Sequence, residues 1–212
     1  MYLTKIPDII KPFAGDLVWD IKTNEREVFL TFDDGPIPEV TPRVLDILDD
    51  FDARATFFCV GENIVRHPEI FAEVKRRGHV VGNHTFSHEK GWETSQMAYL
   101  RSFLKCQELT KSVWFRPPYG RIRRQQAQAI KCTSRIVMWD ILSADFDPAC
   151  TPDQCVHNVM RSAKPGSIIV FHDSLKSEKT MLAALPVVLS NLRNLGYRFS
   201  ALRDDGDASD QG

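Results

Sequence analysis

Short runs of apolar, β-branched and aromatic residues alternate along the chain with longer stretches whose apolar positions recur every three or four residues. The first run, residues 27–32, predicts a strand closed by the turn signal Asp34-Gly35-Pro36. Thr41 is placed to cap the following helix, with Pro42 at its first position and Val44, Leu45, Ile47 and Leu48 as its apolar face. Further strands are predicted over residues 55–60, 79–82, 113–115, 135–139, 167–171 and 197–202. Helices are predicted over residues 68–77, stopped by Gly78, and over 95–111, with Met97, Leu100, Leu104 and Leu109 as apolar positions. Three more are predicted over residues 121–131, from Thr151 or Asp153 to 163, and over 178–194, stopped by Gly196.

Strands apolar enough to be buried on both faces, and separated by helices, predict a parallel α/β architecture. About seven strands fit a small barrel better than half of a Rossmann fold. One domain is expected over residues 25–203, with residues 1–24 packing on it and the polar segment 204–212 disordered.

Composition narrows the function classes. The 212 residues are 43% hydrophobic and 26% charged, ordinary for a globular protein with a sizeable core. At this length about 70% of the extended surface is buried on folding, so neither disulfide nor metal is needed merely to fold. The net charge of -1 offers no basic footprint, which argues against nucleic acid as a partner. No stretch approaches the ~20 apolar residues of a membrane span. Lys5, Asp8 and Lys11, with two prolines, break the N-terminal stretch before signal-peptide length, so a cytoplasmic location is expected. Cys59, Cys106, Cys132, Cys150 and Cys155 form no C-x-x-C pair and read as small hydrophobes in a reducing compartment. Cys150 and Cys155 are close enough in sequence to leave one disulfide open.

In parallel α/β folds chemistry gathers at the carboxyl ends of the strands. Five predicted strands deliver ionisable groups there: Asp33-Asp34, His84 with His88, Arg116, Asp145, and His172-Asp173. Taken alone, an acidic pair before glycine is the composition of a turn. Adjacent carboxylates can also divide labour, one on a metal and one free to take a proton, provided the backbone bends at Asp34-Gly35-Pro36. His84-x-x-x-His88 on a helical turn would point both imidazoles at one ion, and Asp34 would complete a two-histidine, one-carboxylate set. Zinc is the default divalent ion for such donors, with cobalt, nickel, iron or manganese also compatible. In Arg116-Pro117-Pro118-Tyr119-Gly120 the prolines fix the backbone so that an amide can face an anion, and the arginine can grip a carboxylate. His67, His79 and His157 read as structural or surface residues, with His79 placed behind the metal site as a further option.

These residues resemble the polysaccharide deacetylases of carbohydrate esterase family 4, which share the NodB-homology domain. The first three motifs are matched by Thr31-Phe32-Asp33-Asp34-Gly35-Pro36, His84-Thr85-Phe86-Ser87-His88 and Arg116-Pro117-Pro118-Tyr119-Gly120. Asp145-Phe146 stands in the place of the fourth motif, and Val170-Phe171-His172 in that of the fifth. The likeness spans about residues 27–202. It implies a distorted (β/α)7 barrel with Asp34, His84 and His88 on the metal and Asp33 deprotonating the bound water. Arg116 would pair with Asp33, and Tyr119, next to Pro118, would offer its N–H to the oxyanion. His172 would protonate the leaving amine while Asp145 orients its ring. Phe146 stands where the family commonly has tryptophan and Val170 where it has leucine. Both positions wall the acetyl pocket, so its shape is altered and its apolar character kept.

The implied activity is metal-dependent removal of N-acetyl groups from an amino-sugar substrate, a chitooligosaccharide or peptidoglycan-type glycan. An O-acetyl esterase or non-sugar amide hydrolase on the same site is the alternative, and a non-catalytic glycan-binding module the more distant one. The oligomeric state is open.

Overall fold

The computed structural model describes residues 3–7, 9 and 16–203. The tail predicted over 204–212 lies outside the described residues. In chain order the elements are β1 (Glu27–Asp33), α1 (Thr41–Asp50), β2 (Thr56–Cys59), α2 (Gly61–Arg66), α3 (Pro68–Arg76), β3 (Val80–Asn83), α4 (Gln96–Thr110) and β4 (Trp114–Phe115). There follow α5 (Arg124–Ile130), β5 (Arg135–Ile136), β6 (Ile141–Leu142), α6 (Pro152–Met160), β7 (Ile168–His172), α7 (Glu178–Asn194) and β8 (Arg198–Ser200). A 3-10 turn, Pro118–Gly120, follows β4.

All ladders are parallel, in the order β5-β4-β3-β2-β1-β7-β6, and β8 pairs the start of β1 below β2. This curled parallel sheet with its helices is the distorted (β/α)7 barrel the sequence predicts. β5 and β6 do not pair with each other; the gap between them is bridged by the N-terminal segment. Val18 donates to the Ile136 carbonyl at 2.9 Å and accepts from Met138 N–H at 2.7 Å, while Thr4 accepts from Leu142 N–H at 2.9 Å. Lys5 Nζ reaches the fully buried carboxylate of Asp140 at 2.5 Å, which also accepts from Ser167 Oγ at 2.7 Å.

β1 is buried along its whole length because both of its faces are covered. Val28, Leu30 and Phe32 face the layer built by α1, α3, α6 and α7, where Phe32 stacks on Phe57 and Phe171. Each such side chain contributes roughly 1.5–3 kcal/mol by leaving water. By the two-residue period of a strand, Phe29, Thr31 and Asp33 face the other way, into the barrel, where Phe29 meets Phe58, Trp114, Val137 and Ile168.

The structure differs from the sequence reading in several places, among them the unforeseen short helix α2. The run predicted over 135–139 splits into β5 and an unforeseen two-residue β6, because Trp139-Asp140 turns the chain between two ladders. α4 buries Tyr99, Phe103 and Cys106 and leaves Met97 and Leu104 exposed, so its inward face is the aromatic one. Thr41 lies inside α1 and is not its cap; its hydroxyl is engaged by the Ile37 N–H and by Asp173. His79 lies at the opposite end of β3 from His84, accepting from Ala55 N–H and packing its edge on Phe57. It is not behind the metal-type residues. The five cysteines carry no disulfide, and Cys59, Cys106 and Cys155 are buried.

Candidate active site

The carboxyl ends of β1, β3, β4, β6 and β7 meet at one rim, and the ionisable residues predicted from sequence stand there. Asp33 ends β1 with its side chain turned inward, two residues beyond Thr31 on the same face. Arg116, which follows β4, is fully buried and lies over the Phe58 ring. It donates to Thr31 Oγ1 at 2.7 Å and Asp33 Oδ1 at 2.8 Å from one nitrogen, and to the Met138 carbonyl at 2.7 Å from another. Burial works against the charge of Arg116 and lowers its pKa, while Asp33 opposes that shift.

The chain bends immediately after Asp33, as the paired carboxylates require. Asp34 has φ 86°, and the Gly35–Pro36 peptide is cis. The bend is held from one side by Asn63, whose amide donates to the Asp34 carbonyl at 2.7 Å, and by Val60 N–H to the Gly35 carbonyl at 2.9 Å. From the other side Asp173 accepts the Gly35 N–H at 3.0 Å.

His84 and His88 come together without the helical turn that their spacing suggests. Thr85 (φ 61°) and His88 (φ 57°) are left-handed, and Asn83 Oδ1 captures the Thr85 N–H at 2.9 Å, so residues 84–88 form an irregular loop. The two rings still approach to 5.1 Å between centroids. His84 Nε2 and His88 Nε2 lie 3.7 and 3.0 Å from Asp34 Oδ1. One ligand atom from each of the three residues falls within 4.8 Å of the others.

Three observations show that this trio suits a cation. Asp34 Oδ1 is buried without a hydrogen-bond partner, the near approach of His88 notwithstanding. His84 Nδ1 stands 2.8 Å from the Arg116 carbonyl, which can only accept, so Nδ1 carries the proton and Nε2 presents a lone pair. Burial, opposed by the charge of Asp33, lowers the pKa of His84 to about 4 and keeps that ring neutral. Burial disfavours the Asp34 charge, but the His88 contact and the charge of His172 outweigh it and hold its pKa well below the usual range. Two imidazoles and a carboxylate are a donor set for a borderline divalent ion with positions left open.

Across the cleft, His172 at the end of β7 is gripped by Asp145. One carboxylate oxygen meets His172 Nδ1 at 2.8 Å and the other accepts its backbone N–H at 2.7 Å. Burial lowers the pKa of His172, but Asp145 together with the charges of Asp34 and Asp33 overrides that and lifts it to about 9. The imidazolium is therefore the resting form at neutral pH, with Nε2–H as the proton it can give.

Between the two halves lies a cleft of about 640 Å³. Its polar lining includes Asp33, Asp34, His84, His88 and His172, with Arg121, Ser174 and Lys176 also on it, and its apolar wall is Ile37, Trp139, Leu142, Phe146, Val170 and Leu175. Phe146 meets the His172 ring edge-on at 5.1 Å, and the half-exposed Tyr119 (φ 60°) packs on His88 at 4.7 Å. Pro118, beside it, is buried. A second cleft of about 450 Å³, bounded by Arg54, Lys111, Trp114 and Arg203, holds no histidine or carboxylate among its described lining residues.

Asp33, Asp34, His84, His88, Tyr119, Phe146, Val170 and His172 thus share one cleft, with Arg116 and Asp145 directly behind it. Sequence reasoning missed Ile37, Trp139, Leu142 and Leu175 in the wall and Asn63 in the supports, and it gave Asp173 a place at the rim but no role. Only Asp173 carried a signal, its place next to His172.

Residues 20–134 match the polysaccharide deacetylase family. A peptidoglycan-N-acetylglucosamine deacetylase of Bacillus cereus is 33% identical over 193 residues, covering 88% of this chain and 91% of that protein. A chitooligosaccharide deacetylase of Azorhizobium caulinodans is 32% identical over 201 residues, covering 86% of this chain and 95% of that one. The crystal structure of the Bc1960 peptidoglycan N-acetylglucosamine deacetylase superposes with a TM-score of 0.85 at 31% identity, covering 93% of this chain and 95% of the other. The sequence match, the barrel and the rim of ionisable groups agree, and the chain belongs to the polysaccharide deacetylase family.

Proposed function

We propose that this protein is a metal-dependent hydrolase that removes N-acetyl groups from amino sugars in a glycan of the chitooligosaccharide or peptidoglycan type. The observation that carries the reading is the division of one cleft into a cation-suited trio beside Asp33 and a protonated His172 opposite. The two named relatives, one a peptidoglycan and one a chitooligosaccharide deacetylase, support the substrate class.

An acetamide is a weak electrophile with a poor leaving group, so its hydrolysis needs a nucleophile, a stabilised oxyanion and a protonated nitrogen. Asp34, His84 and His88 would hold a divalent ion, zinc by donor type, that supplies Lewis acidity and brings the pKa of water from 15.7 toward ~7. Asp33 accepts the proton of the attacking water at Oδ2, while Arg116 holds Oδ1 and fixes the carboxylate plane. The rigid Pro117-Pro118 segment presents the Tyr119 N–H to the oxyanion; one such donor is typically worth about 3 kcal/mol. His172 donates from Nε2 to the leaving nitrogen, and Asp145 fixes its tautomer and stabilises its charge. Phe146, Val170 and Leu142 give the acetyl methyl an apolar wall.

The test is acetate release from N-acetylated chitooligosaccharides and peptidoglycan fragments, run beside O-acetylated xylan, on protein whose metal content has been measured. Acetate from the amino sugars supports the reading. Turnover of esters alone, or tight glycan binding with metal loaded and no acetate, overturns it.

A further inference from the structure

Asp173 is a buried carboxylate that the chemistry above does not use. It follows His172 directly, is 1% exposed, and touches no group that reacts. Such a group is costly to bury unless its acceptors are met and its geometry matters. Both oxygens are met, one by the turn after β1 and the other by the start of α1. Oδ1 accepts the Gly35 N–H at 3.0 Å, and Oδ2 accepts the Thr41 hydroxyl at 2.6 Å. Thr41 Oγ1 in turn accepts the Ile37 N–H at 2.8 Å, while the Asp173 N–H donates to the Asp33 carbonyl at 3.0 Å. The fit leaves no slack, for a Cβ on Gly35 would stand 2.0 Å from Asp173 Oδ2.

Enclosed by these contacts, Asp34 adopts φ 86°, a left-handed conformation that is strained for an aspartate. That backbone turn aims its carboxylate at His84 and His88 while Asp33 keeps facing Arg116. Without the bend, successive side chains of β1 would point to opposite faces and only one carboxylate would reach the cleft.

We infer that Asp173 is a positioning residue for the cation site. Through Gly35 and Thr41 it holds the turn that presents Asp34, and through the chain it ties that turn to His172. The inference rests on the reading that Asp34, His84 and His88 hold a divalent ion.

The experiment measures zinc affinity of metal-stripped full-length chain by competition with a chromophoric chelator, alongside circular dichroism and thermal midpoint. Asp173→Ala removes both acceptors, Thr41→Val removes one donor at nearly constant volume, and Thr41→Ser keeps that hydroxyl. Outer supports of metal ligands typically change affinity about 10–100-fold. Zinc binding is expected to weaken by that factor in Asp173→Ala, to weaken less in Thr41→Val, and to return in Thr41→Ser. If Asp173→Ala does not fold, the two threonine variants decide. Folded variants that bind zinc as tightly as the unaltered chain, with only the thermal midpoint lowered, overturn the inference and leave the metal reading standing. An unaltered chain that binds none of zinc, cobalt, nickel, iron and manganese removes both.

Discussion

Replacing Arg116 by methionine keeps an unbranched apolar stem and removes the guanidinium with its charge and donors. The guanidinium is fully buried and bonds Thr31 Oγ1, Asp33 Oδ1 and the Met138 carbonyl. Removing one partner of a buried ion pair costs about 3–5 kcal/mol, because the other charge stays behind uncompensated. The Met138 carbonyl, left without its donor, adds roughly 1 kcal/mol. The Thr31 hydroxyl keeps its bond to the Ile169 carbonyl and adds little. The expected loss is therefore about 4–6 kcal/mol, a large part of a typical domain stability of 5–15 kcal/mol. Most of it should come from the stranded carboxylate of Asp33. In the Asp33→Asn background the same replacement should cost at least about 2 kcal/mol less, whereas independent sites add within ~0.5 kcal/mol. Urea unfolding of the four proteins in a chelator, followed by fluorescence and circular dichroism, measures this cycle without metal. A loss under about 1 kcal/mol for Arg116→Met, or additivity in the double variant, refutes the account of Arg116 as the counter-charge to Asp33.

Asp145→Asn should move the alkaline limb of the pH–rate profile. Burial alone lowers the His172 pKa and Asp145 is its main upward influence, so the alkaline limb should move to lower pH. At pH 8 the rate should drop at least about tenfold, and an unmoved limb would show that His172 is not the titrating acid. His79 bears on stability instead: burial lowers its folded pKa to about 4 from 6.5. Its unfolded form binds the proton more readily, so its contribution is complete above pH 6.5 and is lost as pH falls from 6.5 toward 4. His79→Gln should flatten the dependence of unfolding free energy on pH in that window, where the His79 contribution is on the order of 3 kcal/mol. Equal slopes in the two proteins would contradict it.

The parts legible from sequence were those written in local chemistry. Apolar runs such as residues 167–171 mark seven strands, and the ionisable cleft residues stand at strand ends, whereas Phe146 and Val170 enter only through the family resemblance. β6 was hidden because two residues carry no period, and it exists only through pairing with β7. The inward face of α4 was misread because the apolar spacing of Met97 and Leu104 competes with that of Tyr99 and Phe103, and packing on Phe115 decides between them. His84 and His88 were grouped correctly for the wrong local reason, since the left-handed turns at Thr85 and His88 leave no mark in hydrophobic patterning. The support given by Asp173 and Asn63 is hidden for a similar cause. Their partners are backbone groups 138 and 29 residues away, a pairing that only the closed barrel creates.

The central claim assigns the two adjacent carboxylates different duties, Asp34 on the ion and Asp33 on the proton. Acetate release from an N-acetylated oligosaccharide, measured with bound metal on the same preparations of the unaltered chain and of Asp33→Asn, tests it most directly. The account predicts metal bound in both proteins, acetate from the first, and a rate lower by at least about 100-fold from the second. Equal acetate release from Asp33→Asn, or loss of metal together with activity, would contradict it.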